Sequence, residues 1–390
     1  NPCRMVQFRQ EAFLPPPWIP AVQGDSVSEA PVYRGEKNPP GFRNLPKTPF
    51  QKKRTFRERR RWKVIPVLFW IVLGLFLAPW LIYPSVLIVI SMLFRKYSSS
   101  WMVPDEWPAV SVLIAARNEE AVIASRIRNL LEQNYEGSIE ILVGSDNSDD
   151  ATDAIVGAFK DQGVILRRSE KRIGKPRMIK DLLDLSSGEI VVFSDADTVF
   201  APDTITELVT PFSNASVGCV DGSRRNSLDA DTCESIYWKY ETAIKKICSA
   251  SGAVLGATGA VFALRRDLFM PLSARRADDF ELAVMTRIQG WSCVFNENAI
   301  ASEPSPGDKE QFRRLVRIVS WMSVSAFLLM GKALKKRMFP LFGQLLVHKV
   351  LRWFSGILLA VATVLAGLLS GGQFYLILFT LLCLFHIMAM

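Results

Sequence analysis

The sequence contains little histidine, no cysteine spacing that suggests pairing, and two long stretches without charge. Only two of the 390 residues are histidines, His348 and His386, and both lie in apolar C-terminal surroundings. This argues against histidine acid–base chemistry and against zinc sites. The six cysteines show neither paired nor clustered spacing: Cys3, Cys219, Cys233, Cys248, Cys293 and Cys383. Reduced structural thiols are therefore expected, which fits a folded domain in the cytosol.

The first charge-free stretch covers residues 64–94 and contains Pro79 and Pro84. A buried helix of a soluble protein rarely runs that long, whereas a bilayer crossing needs about 20 apolar residues. Two crossings would need about 40 residues. We therefore expect residues 63–97 to form one tilted crossing or a kinked, partly interfacial anchor.

The second charge-free stretch runs from residue 354 to the end of the chain, and Gly371 and Gly372 split it into two apolar segments. We expect transmembrane segments within residues 339–390, each slightly short for an upright crossing. Before them, residues 310–338 mix basic with large apolar residues. That composition predicts an amphipathic helix at the membrane interface.

The positive charge of the chain is concentrated at its N-terminal end. Residues 1–63 hold 14 Lys and Arg against 5 Asp and Glu, which accounts for the whole formal net charge of +9. The remainder is balanced, so the charge does not indicate nucleic-acid binding by the folded part. Residues 1–62 hold ten of the 22 prolines and lack apolar periodicity. We expect a disordered basic tail there, with Lys and Arg groups that can meet anionic headgroups.

Between these regions, residues 105–309 alternate apolar runs with helical patterns. The predicted strands cover residues 110–115, 140–144, 164–166 and 190–194. The predicted helices between them cover residues 119–133, 151–161 and 177–185. Strands separated by helices of about ten residues indicate an α/β fold with a mostly parallel, doubly wound sheet. In such sheets ligands bind beyond the carboxyl ends of the strands.

Acidic side chains follow the predicted strand ends. Asp195 and Asp197 come after the run Glu189–Ser194 and point to the same side, because side chains alternate along a strand. Two carboxylates so close repel each other unless a cation is present, and hard oxygen ligands suit Mg²⁺ or Mn²⁺, which in turn suit a diphosphate. Asn118 and Asp146 also follow strand ends, so we expect all four at one edge of the sheet.

Several ordered motifs carry a resemblance to a known family. They are Ala115–Glu119, Gly144–Thr152, Asp195-Ala-Asp197, Tyr237–Glu241, Gly256–Arg266, Ala277–Leu282 and His348–Trp353. Together they resemble family-2 glycosyltransferases with a GT-A (Rossmann-like) fold, in particular membrane-embedded members related to cellulose, hyaluronan and poly-N-acetylglucosamine synthases. The likeness runs from about Pro108 to Trp353.

The resemblance implies a nucleotide-diphospho-sugar donor, with UDP-sugars as the expected class. Asp146 would accept a hydrogen bond from uracil, although its run of residues also fits helix capping. The loop of Ala116, Asn118 and Glu119 would line the uridine, while Glu119 equally fits a charge at a helix N-terminus. Lys175 would lie near the nucleotide, or else in solvent.

The resemblance also implies roles for four carboxylates. Asp195 and Asp197 would contact the metal and the ribose–diphosphate, with Asp197 the direct metal ligand. Inverting transfer needs a base opposite the leaving diphosphate. Asp279 occupies the position of the family's base, with Asp278 in a supporting role.

One element departs from the family's processive members, which carry Gln-x-x-Arg-Trp after the base. Aligning Gln311–Arg314 leaves Leu315 at the tryptophan position, whereas aligning Arg314–Arg317, which we prefer, leaves Ile318 there. Either arginine, Arg314 or Arg317, would still hold the diphosphate. Without the tryptophan, this position offers no aromatic ring on which an acceptor sugar could stack, so it stays open whether the enzyme is processive.

The expected protein is a membrane-bound inverting glycosyltransferase acting on a glycan or lipid-linked acceptor, with export partner proteins an open question. Single-sugar transfer to a lipid and a catalytically silent nucleotide-sugar-binding scaffold are the alternatives. Because nucleotide sugars are made in the cytosol, the catalytic domain is expected on the cytosolic side of the plasma (inner) membrane. The positive-inside rule places Arg59–Arg61 there too, which conflicts with a single intervening crossing, so the side of the tail stays open.

Overall fold

The computed structural model describes residues 56–97, 101–226, 233–271, 278–303 and 308–388. Most of the predicted N-terminal tail lies outside them. The first four strands confirm the four predicted ones and cover β1 Val110–Ala116, β2 Ile139–Ser145, β3 Val164–Arg168 and β4 Ile190–Ser194. β1 pairs in parallel with β2 and β4, and β2 pairs in parallel with β3. The predicted parallel arrangement is therefore confirmed for this half of the sheet.

The predicted helices between these strands are also present, with shifted ends: α3 Ile123–Leu131, α4 Thr152–Gly157 and α5 Lys175–Leu185. α3 begins four residues later than predicted, because residues 117–122 form a loop at the end of β1. α5 begins two residues earlier, with Pro176 in its first turn, where a missing backbone N–H costs nothing.

The second half of the domain adds four strands and three helices. The strands are β5 Val199–Phe200, β6 Val217–Asn226, β7 Phe262–Arg265 and β8 Ser292–Glu303. The helices are α6 Thr204–Val209, α7 Cys233–Ala250 and α8 Asp278–Ile288. All eight strands form one mixed sheet of order β3-β2-β1-β4-β7-β6-β8-β5, in which β7 runs antiparallel to both of its neighbours.

Helices cover both faces of the sheet, so the central strands are buried on both sides. Val112 and Ile114 of β1 pack in a core that contains Ile127 of α3. Leu113, between them, packs in a second core with Met178 of α5. Fully burying such a side chain contributes about 1.5–3 kcal/mol. This two-sided burial explains why the strands read as continuous apolar runs.

Apolar helices lie before and after this domain: α1 Phe56–Leu77, α2 Tyr83–Leu93, α9 Asp308–Lys335, α10 Phe339–Leu345, α11 Ser355–Leu368 and α12 Gln373–Met388. A π-helical turn at Ala78–Ile82 joins α1 to α2 at the Pro79 position. A second one, Leu346–Leu351, follows α10.

Length and composition allow some of these helices to cross a membrane. Among the described residues, Val64–Leu93 and Val316–Lys335 are long and apolar enough, and Phe339–Leu351 with Ser355–Leu368 is a third if this pair, bent by 69°, counts as one span. α12 is a shorter apolar helix of 16 residues. The charge-free stretches thus form helices as the sequence predicts.

Candidate active site

The loops that follow β1 and β2 hold each other in place at the carboxyl edge of the sheet. Asn118 and Asn147 both adopt left-handed backbone with φ of 56°, a conformation that asparagine tolerates. The Asn118 side chain accepts a hydrogen bond from the Asp149 backbone N–H (2.9 Å), and the Glu119 N–H donates to Thr152 Oγ1 (2.9 Å). The side-chain amide of Asn118 thus connects the loop after β1 to the loop after β2.

The buried side chain of Asp146 connects the end of β2 to the loop that precedes α5. Its two carboxylate oxygens accept hydrogen bonds from the backbone N–H groups of Ile173 (2.6 Å) and Gly174 (2.9 Å). Its own N–H donates to the carbonyl of Ala116, at the end of β1 (2.9 Å). At the start of α4, the N–H of Thr152 donates instead to Asp150 (3.0 Å), two residues earlier. Asp146 therefore shapes the loop that carries Lys175.

Lys175 connects this loop to the aspartate pair. It is the first residue of α5, and its Nζ lies 2.5 Å from Asp195 Oδ1. Asp195 is about one-third exposed and Asp197 is exposed, as an accessible ligand pair requires. A solvated loop lysine, the alternative interpretation of Lys175, does not describe this ion pair.

A third carboxylate belongs to the same acidic cluster. Burial raises the pKa of the Glu119 carboxyl, and the negative charges of Asp197, Asp150 and Asp195 raise it further. The negative charges of these four carboxylates act on one another, which favours a cation nearby.

The donor atoms fit a hard divalent cation. Within the part of the chain that the structure describes, no three or more His, Cys, Asp or Glu side chains are arranged to hold a metal ion by themselves. Mg²⁺ commonly binds through one or two carboxylates and takes its other ligands from water and phosphates. The accessible carboxylate oxygens of Asp195 and Asp197 suit that mode, and they fit Mg²⁺ or Mn²⁺ that arrives with a diphosphate.

The sheet brings Asp279 to the same edge. β7 pairs antiparallel with β4, and Phe193 near the end of β4 lies opposite Phe262 at the start of β7. The loop before β7 is therefore adjacent to the aspartate pair. Asp279, in the first turn of α8, packs against this loop so closely that a Cβ atom on Gly259 would lie 3.1 Å from Asp279 Oδ2. The carboxylate of Asp279 is half-buried.

A buried ion pair that the sequence analysis did not single out anchors this loop. Lys245 Nζ lies 2.7 Å from Asp221 Oδ2 and donates to Thr258 Oγ1 (2.9 Å). Asp221 Oδ1 accepts from the Thr258 N–H (2.7 Å), next to Gly259. Burial raises the pKa of Asp221, while Lys245 lowers it. In the sequence, the signal for this ion pair is an aspartate within an apolar strand.

A second buried charge cluster lies where α7 meets the π-helical turn after α10. Glu241 Oε2 is 2.8 Å from Arg352 Nη1, and Glu241 Oε1 is 3.5 Å from His348 Nε2 and 3.9 Å from Lys349 Nζ. Burial alone would raise the pKa of Glu241, but the hydrogen bond from His348 and the charges of Lys349 and Arg352 lower it well below its usual range. The motifs around Glu241 and His348 thus meet in space.

The remaining predicted site residues stand apart from this description. The side chains of Asp278 and Arg314 lie outside the part that is described. Arg317, on α9, is exposed, with its guanidinium 5.7 Å from the Trp321 ring centroid. Its role at the diphosphate stays a prediction.

Comparison with known proteins identifies the family and supports the fold. The model of the family described as "Glycosyltransferase like family 2" matches residues 108–318. In structure, the chain is similar to the mannosyltransferase PcManGT from Pyrobaculum calidifontis, solved in complex with GDP-Man and Mn²⁺, with a TM-score of 0.59 and 21% identity over 81% of this chain and 96% of that one. At this identity the likeness concerns the fold.

Two sequence relatives are matched over shorter stretches. A beta-monoglucosyldiacylglycerol synthase of Trichormus variabilis (strain ATCC 29413 / PCC 7937) is 40% identical over 118 residues, which is 29% of this chain and 25% of that protein. An N-acetylglucosaminyltransferase of Rhizobium leguminosarum bv. viciae is 28% identical over 174 residues, which is 42% of this chain and 41% of that protein. The matched regions therefore cover less than half of either relative.

Proposed function

Because the chain belongs to the glycosyltransferase-like family 2 and is a glycosyltransferase, we propose that it transfers a sugar from a nucleotide-diphospho-sugar, with inversion, to an acceptor at a membrane. The proposed donor is a UDP-sugar, used with Mg²⁺ or Mn²⁺. The acceptor is a glycan or a lipid-linked molecule. One observation carries the proposal: paired strands β4 and β7 bring the aspartate pair and a third carboxylate, Asp279, to one edge of the sheet.

The chain's own residues have distinct roles in this mechanism. Asp197 and Asp195 would hold the metal, which on binding offsets the negative charge that grows on the departing diphosphate. Lys175, paired with Asp195, adds a positive charge at the same place. Asp146 and Asn118 keep the surrounding loops in shape, so that the nucleoside is bound against fixed backbone.

Asp279 would act as the base. The acceptor oxygen bonds to the anomeric carbon, the bond from that carbon to the diphosphate oxygen breaks, and the acceptor proton passes to the Asp279 carboxylate. The nucleoside diphosphate leaves with the electron pair of the broken bond. Attack from the side opposite the leaving group inverts the configuration of the sugar.

The proposed location is a cytosolic catalytic domain anchored to a membrane by the apolar helices. Val64–Leu93 and Val316–Lys335 have the length and composition to cross a bilayer. On the other side of α9 from its buried residues, Val316, Val324 and Phe327 are exposed, a surface suited to lipid. Resistance of the protein to extraction from membranes by alkaline carbonate tests this part of the proposal.

A second candidate function is single-sugar transfer to a lipid acceptor. Leu315 and Ile318 stand at the two positions where a processive enzyme of this kind would carry tryptophan. The relative named as a beta-monoglucosyldiacylglycerol synthase also favours a lipid acceptor. Mass spectrometry of the products distinguishes the two functions, since a ladder of polymer lengths contradicts single transfer.

The base assignment is tested with Asp279→Asn in purified, membrane-reconstituted protein. Release of nucleoside diphosphate from a panel of UDP- and GDP-sugars is measured with Mn²⁺ and extracted membrane lipids as acceptor. We expect a loss of activity of at least about 100-fold with donor binding retained, as for removal of a general base. Asp161→Asn, at an exposed aspartate in the turn between α4 and β3, is the matched control. Unchanged turnover in Asp279→Asn contradicts the assignment, and wild-type binding without any turnover favours a silent scaffold.

A further inference from the structure

A buried arginine lies directly beneath the strand end that carries the aspartate pair. Arg126, on α3, is 1% exposed. Its Nη2 donates a hydrogen bond to Ser194 Oγ (2.8 Å), and its Nη1 donates to Asn129 Oδ1 (2.6 Å). The guanidinium also lies 4.0 Å from the Phe200 ring centroid. Ser194 precedes the pair and Phe200 follows it, so the arginine touches both ends of the loop.

A second residue of α3 fixes the far end of the same loop. Asn129 accepts a hydrogen bond from the Phe200 N–H (2.8 Å) and donates to the Phe200 carbonyl (2.9 Å). Because Arg126 also donates to Asn129, the two side chains form one unit. A single helix thus holds the loop of Asp195 and Asp197 at its beginning and at its end.

The charge of this arginine has no direct counter-ion. In the described ranges of the chain, no carboxylate lies within ion-pair distance of Arg126, and its Nε has no hydrogen-bond partner. Burying a charge in that way is costly unless nearby groups offset it. The pKa of Arg126 is lowered to about 9, because the effect of burial outweighs that of the negative charges of Asp195 and Asp197, which raise it. The guanidinium therefore stays positive at neutral pH, and the negative charges of Asp195 and Asp197 stabilise it.

We propose that Arg126 is a positioning residue that holds the Asp195–Asp197 loop in the conformation presented to the metal and the donor diphosphate. Its hydrogen bond to Ser194 and its stacking on Phe200 restrain the loop, and its buried charge reduces the repulsion between the two carboxylates before a metal binds. The part of this inference that concerns the metal and the donor diphosphate rests on the proposed function. The restraint on the loop does not.

The test compares Arg126→Met and Arg126→Lys with Arg128→Met in the full chain, reconstituted in lipid nanodiscs. Arg128 lies on the same helix but is exposed, so it controls for charge loss on α3. Hydrogen–deuterium exchange of peptides spanning residues 195–200 is measured without ligand, and Mn²⁺ binding is measured by electron paramagnetic resonance with UDP or GDP present.

We expect exchange in residues 195–200 to become about tenfold faster in Arg126→Met, with the rest of the sheet unchanged, and Mn²⁺ binding to weaken about tenfold, which corresponds to about 1.4 kcal/mol. Arg126→Lys should be intermediate, because lysine keeps the charge but not the planar fork. Arg128→Met should match the wild type. Wild-type exchange at residues 195–200 in Arg126→Met overturns the proposal, and so does acceleration spread evenly over the domain.

Two further outcomes are decisive. If Arg126→Met does not fold, Ser194→Ala is used instead. It removes the acceptor of the Arg126 hydrogen bond (2.8 Å), together with the longer hydrogen bond (3.3 Å) that the Ser194 hydroxyl donates to the Asp195 carbonyl, and the same local acceleration is expected in residues 195–200. Normal exchange in Ser194→Ala would then overturn the proposal. If the wild type binds no Mn²⁺ with either nucleotide, the proposed donor chemistry fails, while the exchange measurement still decides the role of Arg126.

Discussion

Replacing Gly259 with alanine tests the position of the base without touching its carboxylate. Gly259 lies in the loop before β7, and its backbone does not require a positive φ, so alanine fits its conformation. The added Cβ would lie 3.1 Å from Asp279 Oδ2, whereas ordinary van der Waals contact begins at 3.4 Å. Because Asp221 and Lys245 hold the loop, the carboxylate of Asp279 must yield, by at least about 0.3 Å.

A displacement of this size is expected to lower kcat several-fold. Moving a reacting group by about 1 Å costs roughly 100-fold in rate, so a few tenths of an ångström correspond to a loss of about three- to tenfold. KM for the donor should change by less than about twofold, because the atoms nearest to the added methyl group all belong to Asp279, which leaves Asp195 and Asp197 in place. Initial rates of nucleoside diphosphate release at varied donor concentration separate the two parameters.

Gly157→Ala is the control, since a Cβ at this glycine of α4 meets nothing within 4 Å. It should leave both kcat and KM unchanged. If Gly259→Ala keeps its thermal stability and a wild-type kcat, then Asp279 does not act from this position and the base assignment is wrong. A rise in donor KM with constant kcat would instead place the loop in the donor site.

Three further predictions concern the carboxylates. Asp197→Ala should raise the Mn²⁺ concentration needed for half-maximal activity at least about tenfold, and an unchanged metal titration would exclude Asp197 as a ligand. Glu119→Gln should raise the melting temperature of the ligand-free protein, because the neutral amide avoids both the burial of a charge and the like-charge repulsion that raise the carboxyl pKa; a lower melting temperature contradicts this. Glu241→Gln should cost about 3 kcal/mol at pH 7, since it leaves buried cations without their anion. The pKa of Glu241 is lowered well below its usual range on folding, so its contribution is complete above about pH 4.3, declines below that value and is lost once the pH falls through the lowered pKa. Urea unfolding at several pH values can show this.

The sequence predicts the parallel half of the domain well, because the information is local there. Each of β1 to β4 is a short apolar run that ends in polar residues, and chain order with helical crossovers places these ends at one edge. The placement of Asp195, Asp197 and Asn118 at this edge follows from that rule. So does Asp146, although its carboxylate holds backbone amides of the loop before α5, a contact that no spacing in the sequence specifies.

Other features depend on partners that lie far away in the chain. β7 has four residues, and nothing local reveals that it enters the sheet antiparallel between β4 and β6. Asp221 interrupts an apolar strand, but its partner Lys245 belongs to a separate helix, so the sequence alone does not identify the ion pair. Arg126 lies on the apolar stripe of α3, but its partners Ser194 and Phe200 belong to a distant part of the chain, so its role is visible only in the fold.

The antiparallel insertion of β7 explains how Asp279, the proposed base, and the aspartate pair come to lie at the same edge of the sheet. In a parallel strand at this place, the carboxyl end would carry the next loop, and the residues before the strand would lie at the opposite edge of the sheet. Because β7 is reversed, the loop before it, with Gly259, meets the end of β4. The hydrogen-bonded register of β4 with β7 therefore sets the separation between the pair and Asp279. Substitutions that preserve this register should leave the separation unchanged even where the surrounding loops differ.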